Sequence, residues 1–133
     1  MDNSYKHLQL NELLQTSDVV SIHAPLNDRT HNLLGISQLR MMKPSALLVN
    51  VGRGGIVNEA ALAEAIDSDV IAGAGLDVFT QEPLPQGHPL LTVRNRDKLL
   101  LLPHIAWASL EARTLLVSRI AGNIRSFMEV TAK

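Results

Sequence analysis

Four side chains able to bind an acid or move a proton follow apolar runs: Arg53, Asp77, Glu82 and His104. Arg53 stands in Gly52-Arg53-Gly54-Gly55, straight after the apolar run at 47–51. Glycine lets a ligand approach the backbone closely, and arginine presents a planar fork that matches a carboxylate or phosphate. Taken alone, a Gly-Arg-Gly is read as plainly as a solvent-exposed loop. Asp77 lies inside Leu76-Asp77-Val78-Phe79. A buried carboxylate without a partner is costly, so Asp77 needs a structural partner, a ligand or an exposed strand end. Glu82 follows in Phe79-Thr80-Gln81-Glu82-Pro83, and His104 follows Leu99-Leu100-Leu101-Leu102-Pro103. Arginine with histidine suits a keto acid: the first binds the carboxylate, the second exchanges a proton with the carbonyl oxygen. A glutamate beside the histidine would favour the imidazolium and raise its pKa towards working pH.

The elements that must hold these residues alternate. Residues 19–23, 47–51, 70–79 and 99–102 read as short buried strands, the first stopped by Pro25 and the last by Pro103. Helical patterns run over 8–15, 36–42, 59–66 and 108–130. Asn58 is the expected N-cap of the third, with Glu59 favourably placed in its first turn. In the fourth, Leu110, Val117, Ile120, Ala121, Ile124, Phe127 and Met128 fall near one face, with Arg113, Arg119 and Arg125 off it. Residues 1–7 read as loose, 82–87 as a loop and 88–97 as irregular. Strands alternating with helices predict an α/β fold with a parallel sheet. Four strands make about half of a doubly wound fold. In such sheets ligands sit outside the carboxyl ends of the strands, so Arg53, Asp77, Glu82 and His104 are expected along one edge.

The totals narrow the function classes. A net charge of −1 offers no argument for nucleic acid or an anionic membrane. With 0 cysteines, disulfides and thiolate metal sites are excluded, and a reducing cytoplasm is compatible. No apolar run approaches a membrane span, and the N-terminus is polar without a signal-peptide core. None of the 5 histidines has metal-ligand spacing, so no metal site is expected. Gly52, Gly54 and Val57, like Gly73, Gly75 and Val78, miss the third glycine of the dinucleotide fingerprint, and no Walker-type loop is present.

Four motifs, in order, carry a resemblance: SDVVSIHAPLNDRTHNLL, MKPSALLVNVGRGGIVNEAAL, IAGAGLDVF-x-x-EP and LLPHIAWAS. Over about residues 8–130 the chain resembles the D-2-hydroxyacid dehydrogenases, and PHIAWAS followed by EAR looks most like their glycerate dehydrogenase (hydroxypyruvate reductase) branch. The resemblance implies a Rossmann-type NAD-binding domain. It implies that Arg53 binds the substrate carboxylate, that His104 is the proton donor and acceptor, and that Glu82 orients His104. It further implies that Asp77 contacts the nicotinamide end of NAD and that Ala24, Pro25, Val51, Gly52 and Trp107 line the cofactor. His23 matches the HAPL element without a catalytic role.

Members of the family are more than twice as long, with a substrate domain and a G-x-G-x-x-G half that are absent from these residues. The chain is therefore expected to be the second half of a NAD-binding domain, inactive or nearly so alone, with NADP not excluded. The alternative is a non-enzymatic nucleotide-sensing or interaction module of the same fold. In the family's strand order the strand at 19–23 would be an unprotected edge. The chain is thus expected to self-associate as a homo-oligomer through that edge, or to recruit its complementary half.

Overall fold

Leu47, Leu48 and Val49 make a short apolar run, and with Asn50 they form an inner strand of a four-stranded sheet. The computed structural model of the protein describes residues 6–131. The expectation that residues 1–7 are loose therefore falls largely on residues 1–5, outside the described ones. The strands are β1 (Val19–Ile22), β2 (Leu47–Asn50), β3 (Gly73–Leu76) and β4 (Leu99–Leu101). They pair in the order β1-β2-β3-β4, all parallel, with Val20 beside Leu48, Leu48 beside Ala74 and Ala74 beside Leu99. The chain divides into two compact units, Met1–Pro103 and His104–Lys133.

In the first unit the helices α1 (Leu10–Thr16), α2 (Ile36–Leu39) and α3 (Glu59–Asp67) supply most of the core with the sheet. Leu14, Leu39, Leu62 and Ile66 are fully buried with Leu48 and Leu76 of the strands. Strand period dictates the rest: β1 and β2 alternate exposed and buried residues. The opposite face is open. Val19 is 56% exposed, Leu47 46% and Leu100 59%, and at Gly75 an added Cβ would meet nothing within 4 Å.

Several boundaries differ from the sequence reading. The strand expected over 70–79 is confined to Gly73–Leu76, because the Val70 amide turns back to Ala65 O at 2.9 Å and completes the exit of α3. The helix expected over 36–42 ends at Leu39, well short of Pro44. Residues 88–97 are not wholly irregular: 3₁₀ turns form at Pro89–Leu91 and Arg96–Lys98. Asp67 holds the segment between them, its Oδ1 accepting from the amides of Arg94 (2.8 Å) and Asn95 (3.2 Å). Desolvation opposes its charge, but these two amides and the Arg94 guanidinium bring its pKa below the ordinary 3.8.

The second unit is a turn followed by α4 (Leu110–Thr131). Ser109 caps the helix, its Oγ accepting from Ala112 N at 3.2 Å. The apolar stripe read from the sequence is present as a helix, and Ile120, Ile124 and Phe127 are 50%, 55% and 70% exposed. No helix among the described residues is long and apolar enough to cross a membrane.

Candidate active site

The turn after β2 is built by a side chain, Asn50, that is itself 2% exposed. Its Oδ1 accepts from Gly52 N at 3.0 Å, and its Nδ2 donates to Arg53 O at 3.0 Å. Both ends of the amide are thereby satisfied inside the protein, and the backbone from 50 to 53 is stapled in one conformation. A buried amide left without these partners would cost about 1–3 kcal/mol. The sequence carries the signal for this: a short amide side chain two residues before a glycine closes an Asx-turn. Asn50 is nevertheless absent from the site read from sequence alone.

Gly52 has a second reason to be glycine. A Cβ there would stand 3.1 Å from Ala24 O and 3.2 Å from Ile22 O, so the turn passes tightly over the exit of β1. The result is a cavity of about 590 Å³ beyond the ends of β1 and β2, lined by His23, Ala24, Pro25, Leu26, Val51, Gly52 and Arg53. Five residues named from the sequence thus meet here: Ala24, Pro25, Val51, Gly52 and Arg53. Thr30 steadies the β1 side by donating to Pro25 O at 2.7 Å. Arg53 is exposed and its Nη1 donates to Gly52 O at 2.7 Å, folding the guanidinium over its own turn. The chain then runs through Gly55, at φ +81, to a bridge between Val57 and Leu34 and on into α3.

Gly54 joins this turn to the next loop. A Cβ at Gly54 would collide with the Phe79 carbonyl carbon and oxygen. The Arg53 turn and the segment leading to Glu82 are therefore packed backbone to backbone. Asp77, the first residue beyond β3, is 3% exposed, and its amide donates to Asn50 O at 3.0 Å. Glu82 Oε1 accepts from Phe79 N at 2.9 Å. Glu82 lines a different, largely apolar cavity of about 390 Å³ with Phe79, Pro83, Leu84, Leu91, Leu101, Leu102 and Pro103.

His104 and Trp107 belong to the second unit, where they share one turn. Trp107 Nε1 donates to His104 O at 2.9 Å, and Ala108 N donates to Ile105 O at 2.9 Å. His104 has φ 56, in the left-handed region. A side chain held there costs on the order of 1–3 kcal/mol, and such residues cluster at functional sites. Trp107 is 58% exposed.

The chemistry of the 590 Å³ cavity suits the nicotinamide end of a dinucleotide. Its lining includes Gly52, where a Cβ would already be crowded, and the apolar residues Ala24, Pro25 and Val51. Arg53 supplies at its rim the charge a carboxylate needs.

Comparison with known proteins shows the family. The family model described as the D-isomer specific 2-hydroxyacid dehydrogenase, NAD binding domain, matches residues 1–106. A glyoxylate reductase of Korarchaeum cryptofilum is 45% identical over 122 residues, which are 92% of this chain and 36% of that protein. A glycerate dehydrogenase of Methylorubrum extorquens is 42% identical over 121 residues, 91% of this chain and 38% of that protein. The solved D-lactate dehydrogenase of Aquifex aeolicus, complexed with NAD and lactic acid, superposes with TM-score 0.77 at 27% identity, covering 92% of this chain and 40% of that one. The chain spans little more than a third of the length of the relatives it matches.

Proposed function

Since the chain belongs to the D-isomer specific 2-hydroxyacid dehydrogenase family, within its NAD-binding domain, we propose that it is the catalytic half of that domain in a dehydrogenase of small 2-hydroxy acids. The substrate class is a 2-hydroxy or 2-keto acid such as glycerate or hydroxypyruvate, in keeping with the names of its relatives. The observation that carries the reading is the stapled turn that presents Arg53 at the rim of the cavity lined by Ala24, Pro25, Val51 and Gly52.

In this reading Arg53 clamps the substrate carboxylate and draws charge from the adjoining carbonyl. His104 gives a proton to the carbonyl oxygen on reduction and takes it back on oxidation. Glu82 takes the role that the family resemblance gives it, orienting the histidine. Asp77 would contact the nicotinamide end of the cofactor, and Trp107 would be among the residues that line it. When bound, NAD or NADP supplies the hydride. The absence of cysteine fits a reducing cytoplasm as the compartment.

The isolated chain is expected to bind NAD weakly. A pyrophosphate gains from a glycine-rich turn at a helix N-terminus, and no such fingerprint occurs in these residues. Losing several charge-assisted contacts of about 1.5–3 kcal/mol each leaves an affinity in the millimolar range or weaker. Titration followed by amide chemical shifts should move Ala24, Val51 and Gly52. Micromolar binding, or shifts confined to other residues, would refute the placement.

The isolated chain is also expected to self-associate. β1 ends the sheet with its outer backbone groups unpaired by any described strand, and Val19, Leu47 and Leu100 are exposed on one face. Light scattering should detect mass rising with concentration. A monomer at every concentration, with slowly exchanging amides at 19–22, would rule this out.

A further inference from the structure

Glu59 opens α3, yet its carboxylate does not face solvent as a first-turn glutamate ordinarily does. Its side chain is 10% exposed. Oε1 accepts from Thr80 N at 2.7 Å and from Thr80 Oγ1 at 3.0 Å. Oε2 lies 3.0 Å from Nε2 of His88, whose side chain is 14% exposed. The other ring nitrogen of His88, Nδ1, accepts from Leu90 N at 3.3 Å. A nitrogen that accepts an amide hydrogen bears no proton of its own. The proton of the neutral ring therefore sits on Nε2 and is donated to Glu59.

One carboxylate on a helix thus grips both ends of the segment from Thr80 to His88. That segment carries Glu82, and the Glu82 carboxylate in turn accepts from Phe79 N at 2.9 Å. We propose that Glu59 is a positioning residue for Glu82, acting through Thr80 at one end of the loop and His88 at the other. The proposal rests on the reading of Glu82 as the partner of the catalytic histidine. Its physical basis is economy of motion. A loop closed only by its own backbone would let Glu82 wander, whereas three donors converging on a nearly buried carboxylate fix it to the α3 framework.

The test uses the isotopically labelled chain in solution, read by imidazole nitrogen shifts and by amide hydrogen exchange. In the native chain His88 should show a protonated Nε2 and an unprotonated Nδ1 at neutral pH. Glu59→Ala should speed exchange of the Phe79 and Thr80 amides at least about tenfold, while the Leu48 amide stays within about twofold. Glu59→Gln keeps an acceptor for Thr80 but turns an amide N–H₂ towards His88. It should preserve Thr80 protection and drive the His88 proton off Nε2 or release the ring. If Glu59→Ala fails to fold, His88→Ala decides, since it frees only the far end of the loop and should still speed Phe79 exchange several-fold. Unchanged Phe79 exchange in a folded Glu59→Ala or in His88→Ala, or a native His88 protonated on Nδ1, would overturn the proposal. None of these readouts depends on turnover. A loop that loosens as expected, in an enzyme indifferent to Glu82, would sink the role of Glu82 and leave the hold of Glu59 intact.

Discussion

His104→Gln, in a dehydrogenase assembled around this segment, is expected to lower turnover by roughly 10²–10⁴ with KM little changed. Glutamine keeps a polar side chain at the site but cannot exchange a proton near neutral pH, so the loss falls on the transition state. Arg53→Ala should behave differently. On the proposed role it removes a charge-assisted clamp on the substrate carboxylate, each bond about 1.5–3 kcal/mol, and so should raise KM as well as lower turnover. Arg53→Lys should recover only part of the binding, because an ammonium is a point charge and cannot reproduce the planar fork. The turn itself is made by Asn50 and not by the guanidinium, apart from the bond from Nη1 to Gly52 O. Loss of the Arg53 side chain should therefore leave the fold intact. Steady-state assays with a 2-keto acid such as hydroxypyruvate, at saturating cofactor, check both variants. Wild-type rates in both would end the assignment.

Much of the framework was legible because hydrophobic period and local punctuation agree. Asn58 caps α3 as read, its Oδ1 accepting from Ala61 N at 2.9 Å, and the strands before Pro25 and Pro103 end at Ile22 and Leu101, each one residue short of the expected bound. The apolar run over 70–79 predicts a longer strand than forms, because such a run looks alike whether it lies in a sheet or beside it. Only the backbone pairing limits it to Gly73–Leu76. The residues proposed to bind are reached by chemistry and by resemblance: a lone arginine among glycines announces itself, and Ala24, Pro25, Val51 and Gly52 come through the family motifs. The residues that shape the turn and the loop are less legible. Asn50 has a local signature, an Asx-turn onto Gly52. Glu59 and His88 have none, since their meeting at 3.0 Å joins positions 29 apart in the chain. A first-turn glutamate explains itself by the helix dipole, which hides the second role.

Gly54→Ala is expected to be the most damaging single methyl in the first unit. The added Cβ would run into the Phe79 carbonyl group, which is backbone and has no rotamer to yield. Overpacking of a well-packed core costs about 1–3 kcal/mol, and more when nothing can move aside. For a unit of this size about 3 kcal/mol corresponds to a fall in Tm of roughly 15 °C. The alternative to unfolding is separation of the two loops. That would carry Arg53 away from the segment bearing Glu82 and cost activity even in molecules that remain folded. Gly122→Ala is the internal control. It lies in α4 with nothing within 4 Å of its would-be Cβ, and replacing glycine by alanine inside a helix should be neutral or stabilising by about 0.5–1 kcal/mol. Thermal unfolding of the two variants beside the native chain measures the contrast. Equal melting temperatures for Gly54→Ala and the native chain, with Phe79 and Thr80 amide resonances unmoved, would mean that the two loops do not touch at this point. The coupling of Arg53 to the Glu82 segment would then have to come from elsewhere.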